Sequence, residues 1–175
     1  MALEAVFRSL VIQLRKLADD LNALQLTVGD KPPRSESALV DHFENAVLDI
    51  TGRLQEGIES ACQALTAVGH PIDLDRARRA LAVCQASFRG IEQQYSAEIS
   101  CYEKLRNLAE LGARRPREWC SWTHTMKEGI EHCRYSLAGA GGALAECWQE
   151  LSEHLGQMSI SVQSTNVGQQ IVPRN

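Results

Sequence analysis

Residues 1–29 read MALEAVFRSLVIQLRKLADDLNALQLTVG, and this stretch decides the fold class. Among its large apolar residues, Leu3, Phe7, Leu10, Leu14, Leu17, Leu21, Leu24 and Val28 are separated by alternating steps of four and three. Such alternation returns a side chain to one helix face every ~3.5 residues, which is the seam of left-handed supercoiled packing. A strand would need alternation of period two, and no such pattern occurs before residue 159.

The same rhythm recurs three times. Phe43, Val47, Ile50, Leu54, Ile58, Ala61, Leu65 and Val68 form a second seam. Ala77, Leu81, Cys84, Phe88, Ile91, Tyr95, Tyr102, Leu105 and Ala109 form a third. Met126, Ile130, Cys133, Leu137, Ala140, Leu144, Cys147, Leu151, Leu155 and Met158 form a fourth.

Prolines mark the breaks between them. Gly29 precedes Pro32 and Pro33, Gly69 precedes Pro71, and Gly112 precedes Pro116. Glycine past a helix end adopts the left-handed conformation cheaply, and proline beyond it blocks continuation. Ser35 and Asp73 suit N-caps, with Ile72 and Ala77 placed as a hydrophobic staple. The pattern predicts helices over 2–28, 36–68, 74–111 and 117–157, joined by short turns into an antiparallel up-down four-helix bundle. The bundle is expected to occupy residues 1–158, with long coiled-coil-like helices. Residues 159–175 carry no charge until Arg174 and set Ile160, Val162, Val167 and Ile171 among Ser, Thr, Asn and Gln. That composition reads as an extended C-terminal tail.

Composition narrows the function classes. The 175 residues carry 18 basic and 22 acidic side chains, a net charge of −4, which argues against wholesale nucleic-acid binding. At 44% hydrophobic the chain has enough apolar residues for a core, so it is not of the disordered class. No run approaches the ~18 apolar residues of a membrane span. The N-terminal residues lack a basic segment followed by an apolar core, so they do not read as a secretory signal. A cytoplasmic location with reduced thiols is the expectation for the six cysteines.

The residue types that could carry chemistry are few. Cys84, Cys133 and Cys147 fall on seam positions and Cys62 beside one, as small buried hydrophobes do. No C-x-x-C pair is present. Helix register leaves one alternative, in which Cys62, Cys84 and Cys147 from three helices bind a soft metal or sense oxidation. No Glu-x-x-His occurs, which disfavours a di-iron bundle. His42 and His154 are expected to be exposed. Glu98 falls on the third seam, where a buried acid or a local phase slip that turns Ile99 inward would account for it. Gly139, Gly141 and Gly142 interrupt the fourth helix at a cost of about 2–3 kcal/mol relative to alanine. Close approach of a neighbouring helix, or a groove for a partner, would offset that.

Lys31 and Arg34 lie in the first turn, and Arg114, Arg115 and Arg117 in the third, so an up-down bundle gathers five cations at one end. They either complement helix C-termini or meet an anionic partner. No nucleophile with a base, pair of inward carboxylates or cofactor motif can be read. The chain is therefore expected to be a non-enzymatic interaction or structural module without a cofactor. Its partner would be another protein or a copy of itself, bound through Lys31, Arg34, Arg114, Arg115, Arg117, Ile160, Val162, Val167 and Ile171. The alternative is a metal- or redox-sensing bundle built on the three seam cysteines.

Overall fold

The computed structural model describes residues 2–30, 38–99 and 117–170, with 38–39, 118–119 and 159–170 described as backbone. Four α-helices are present: α1 (Ala2–Gly29), α2 (Ala38–Ala67), α3 (Leu74–Gln94) and α4 (Arg117–Gln170). A short π-helical segment, Tyr95–Ile99, continues α3. Among the described residues there is no strand. Residues 100–111, expected to complete the third helix, lie outside the described residues, as does the cap expected at Ser35.

Among the described residues most seam positions are buried. Leu3, Phe7, Leu10, Leu14, Leu17, Leu21, Leu24 and Val28 are all at most 1% exposed. They share one core with Phe43, Val47, Ile50 and Leu54 of α2, Leu81, Cys84, Phe88 and Ile91 of α3, and Met126, Cys133, Cys147 and Leu151 of α4. Burial of this stripe, at roughly 1.5–3 kcal/mol for each large aliphatic side chain, is the main force that orders the bundle.

Side-chain pairs give the helix directions. Along α1 and α4, Val6 meets Cys147, Asp20 meets Ser136 and Thr27 meets Trp122. One number rises as the other falls, so α1 and α4 are antiparallel. Between α3 and α4, Phe88 lies by Gly141 while the Tyr95 hydroxyl donates to the Ile130 carbonyl at 2.5 Å, again in antiparallel order. Ser87 against Gly57 and Arg53 against Gly90 set α2 and α3 antiparallel.

The α2–α3 turn is built by its backbone and one cap. Asp73 accepts a hydrogen bond from the Arg76 amide at 3.0 Å, as expected of the N-cap, and its own amide donates to the Ala67 carbonyl at 2.8 Å. The His70–Pro71 peptide is cis, and among the described residues no glycine has a positive φ. The left-handed glycine expected at Gly69 is therefore absent. Gly29 ends α1 without that conformation. Ile72, expected to staple against Ala77, is 43% exposed.

The phase slip expected at Glu98 is present, and the π-helical segment produces it. A π turn inserts one residue into the ladder and rotates the residues after it by about 100°. Tyr95 and Ile99 are both buried, while Glu98 stays half-buried and accepts from Gln94 Nε2 at 2.9 Å.

The tail differs from expectation. Residues 159–170 are helical and continue α4 without a break, so this segment is not extended. The reason is local. No proline occurs between 117 and 172, and a helix already nucleated propagates at little cost. Ser, Val and Thr lose only up to about 0.7 kcal/mol each in a helix relative to alanine, while their preference for strands depends on a sheet to pair with.

The glycine run is helical throughout, and close approach accounts for part of it. A Cβ on Gly139 would sit 2.9 Å from Gln13 Oε1 of α1, and one on Gly141 would sit 3.4 Å from the Phe88 ring of α3. Gly142, like Gly52 in α2, has nothing within 4 Å of a Cβ. Replacing Gly52 and Gly142 by alanine is therefore expected to stabilise the bundle, by about 0.5–1 kcal/mol at each site. Thermal unfolding followed by circular dichroism checks this, and a Tm that stays put or falls for both variants refutes it.

Candidate functional site

The residues expected to act lie in three places. At one end, Arg117 opens α4 and is exposed. Lys31, Arg34, Arg114 and Arg115, the other members of the expected basic end, lie outside the described residues. Near this end Trp122 is buried and its indole N–H donates to the Thr27 carbonyl at 2.8 Å, so this tryptophan closes the core.

Cys62, Cys84, Cys133 and Cys147 lie along the bundle, and Cys120 lies near its Arg117 end. Cys84, Cys133 and Cys147 are fully buried, Cys62 is half-buried and Cys120 is exposed, and these five are free thiols. The Cys147 thiol donates to the Val6 carbonyl at 3.3 Å, whereas Cys62 faces the Arg15 guanidinium at 3.9 Å. Burial pushes the Cys84 thiol up to about 11. It pushes Cys133 up to about 12, with the Asp20 carboxylate adding to the effect. Cys147 is likewise pushed up to about 12, by burial first and then by the Cys84 and Glu146 charges. Such thiols are poor nucleophiles, because the reactive form is the thiolate. Among the described residues no three His, Cys, Asp or Glu side chains are placed to hold a metal ion. Cys62, Cys84 and Cys147 are thus not brought together as a ligand set.

A part-buried polar contact joins α1 to α4 at mid-bundle. The Ser136 hydroxyl donates to Asp20 Oδ2. Nearby along α4, Tyr95 is buried against Ile130, and burial, with the nearby Cys133, raises its phenol well above the ordinary value despite Arg134. Neither Asp20 nor Ser136 stands out in the sequence, because both fall just off the seam. His154 is half-buried rather than exposed, with its Nδ1 2.9 Å from the Glu150 carbonyl. His42 is exposed and lies 3.9 Å from Glu98.

An open groove lies at the opposite end from Arg117. A groove of about 970 Å³ is lined by Leu3, Ile72, Leu74, Leu155 and Met158, with Asp73, Asp75 and His154 among its polar neighbours. Ile72 and Met158 are 43% and 55% exposed, a poor arrangement in water unless something covers them. The groove lies where Leu3 of α1 and the α2–α3 turn at Pro71–Asp75 meet residues 154–158 of α4. The remaining twelve residues of α4 continue past that level. Nothing in the seam spacing foretells the groove, which depends on where three helices end relative to a fourth.

A second, smaller groove of about 320 Å³ runs between α3 and α4 beside the glycine run, lined by Gln85, Phe88, Arg89, Gly141 and Trp148. Among the described residues the buried Trp148 indole nitrogen has no hydrogen-bond partner.

No described helix is long and apolar enough to cross a membrane. No protein-family model, curated protein or solved structure matches this chain.

Proposed function

We propose that this chain is a non-enzymatic interaction module that joins another protein, or a further copy of itself, through the C-terminal part of α4 and the apolar groove at its base. The observation that carries this reading is the continuation of α4 for twelve residues after Met158, about 18 Å of helix beyond the level of the α2–α3 turn. That segment is not needed to complete the seam, which ends at Met158. It bears no charge. A helix laid in a groove is therefore the mode of association, in place of the strand addition that an extended tail would imply. The basic end, Lys31, Arg34, Arg114, Arg115 and Arg117, is a second surface, suited to an acidic partner and weakened by salt.

The alternative, a sensor built on Cys62, Cys84 and Cys147, has no comparable support, since the buried thiols are held protonated and are not gathered as ligands.

Deletion of residues 159–175 tests the proposal. Helical signal per residue is expected to stay constant and Tm to move by no more than about 3 °C. Association with any partner, scored by co-purification of intact and truncated protein from the native source, is expected to be lost. Truncation that melts the bundle, or that leaves association intact, refutes the reading.

A further inference from the structure

We propose that Cys120 and His124, on the solvent face of α4, bind a zinc ion, with Glu128 holding the imidazole from its far side. This goes beyond the interaction reading and does not depend on it.

Spacing singles the site out. Of the five histidines only His124 has a cysteine four residues before it and a carboxylate four residues after it. Residues four apart on a helix are neighbours, with Cβ atoms about 5–6 Å apart. Cys120, His124 and Glu128 therefore form a row along one face of α4. Trp122, Met126 and Ile130, each two positions further on, are buried. Two positions are about 200° of helix rotation, so the row lies opposite the core. Cys120 is exposed, and the His124 and Glu128 side chains are 70% and 60% exposed.

Part of the arrangement is already made. His124 Nε2 lies 3.1 Å from Glu128 Oε1. In the neutral ring that nitrogen carries the proton and donates to the carboxylate, which leaves the Nδ1 lone pair for a metal. A carboxylate behind a ligating imidazole fixes its tautomer and raises its basicity. Cys120 supplies the second ligand: the metal takes the place of the thiol proton, which passes to solvent. Tetrahedral zinc sets its sulfur and nitrogen ligands about 3.5 Å apart, within reach of two side chains on neighbouring turns. Thiolate with imidazole suits zinc rather than magnesium or calcium, which take oxygen ligands. Among the described residues no three His, Cys, Asp or Glu side chains are placed to hold one ion, so water completes the coordination and the affinity is moderate.

The other described cysteines are unsuited. Cys84, Cys133 and Cys147 are buried, and Cys62 faces the Arg15 guanidinium at 3.9 Å, which repels a cation.

Titration of the reduced full chain with zinc, by calorimetry, and with cobalt, by absorption, tests the site. One zinc per chain is expected to bind with a Kd of about 1–100 µM. Cobalt is expected to give the near-ultraviolet charge-transfer band of a thiolate ligand. Cys120→Ser is expected to abolish that band. Cys120→Ser, His124→Ala and Glu128→Gln are each expected to raise the zinc Kd about 10-fold or more, with an unchanged circular dichroism spectrum. Cys62→Ser and His132→Ala, the latter one turn beyond Glu128, are expected to leave zinc binding as it was. A full chain that binds no zinc up to about 1 mM, a cobalt band that survives Cys120→Ser, or a loss caused by His132→Ala in place of His124→Ala overturns the proposal. An unaffected Glu128→Gln overturns the supporting role of the carboxylate.

Discussion

Replacing Leu24 by alanine is expected to lower the unfolding free energy by about 2–5 kcal/mol, and a second substitution at Gly129 is expected to recover part of that loss. Leu24 is fully buried. Across the α1–α4 interface a Cβ on Gly129 would lie 3.1 Å from Leu24 Cδ1. In the native background Gly129→Ala therefore gains helix propensity but forces Leu24 to shift. With Leu24 shortened, the added methyl no longer meets the Leu24 Cδ1 and fills part of the void. The change Gly129→Ala should be more favourable in the Leu24→Ala background by about 1 kcal/mol, a coupling typical of residues in contact. A double-mutant cycle by urea unfolding measures it. Additive effects would show that α1 and α4 do not pack through this pair.

Alkaline pH is expected to destabilise the fold sharply. Cys84, Cys133 and Cys147 ionise at about 11, 12 and 12 in the folded chain, because burial disfavours the thiolate, against 9.0 when exposed. Between pH 9 and about 11–12 the unfolded chain has lost protons that the folded chain still holds. The unfolded state therefore binds fewer protons there, and stability falls as pH rises. Below pH 9 both states hold all three protons and this contribution is flat. By pH 10 each thiol costs on the order of 1 kcal/mol, so the three together cost a few kcal/mol. Tyr95, raised in the same sense, adds to the loss at still higher pH. Urea midpoints at pH 8 and pH 10 check the slope. A curve flat across that interval would show that these thiols are open to water. The same burial sets the order of thiol labelling among the described cysteines: exposed Cys120 reacts first, half-buried Cys62 next, and the other three only on unfolding.

Much of this architecture is local and so is legible in the chain. The three-and-four spacing of α1 depends only on helix geometry and on the aversion of Leu and Phe to water, and every seam residue from Leu3 to Val28 is buried. Asp73 caps α3 because the bond to the Arg76 amide spans three residues. The slip at Glu98 is visible as a carboxylate on an apolar stripe, with Ile99 next to it. In each case the residues that decide the outcome lie close together along the chain.

The features beyond reach depend on relations between distant segments. The Asp20–Ser136 hydrogen bond spans 116 positions and joins two residues that look like ordinary surface polars. Gly139 and Gly141 are recognisable as unusual, but which neighbours approach them, Gln13 and Phe88, depends on the relative register of α1, α3 and α4. Residues 159–170 read as part of an extended tail but fold as a helix. Their β-branched side chains suit a strand only where a sheet exists to pair with, while a long helix running into them needs no partner to continue. Sequence alone thus determined four helices, their apolar faces, and the place and Asp73 cap of the α2–α3 turn, since periodicity, capping and proline act over a few residues. Tertiary structure alone decided that α4 outlasts its neighbours and leaves Ile72 and Met158 beside an open groove, because helix ends are set against each other only when the bundle packs.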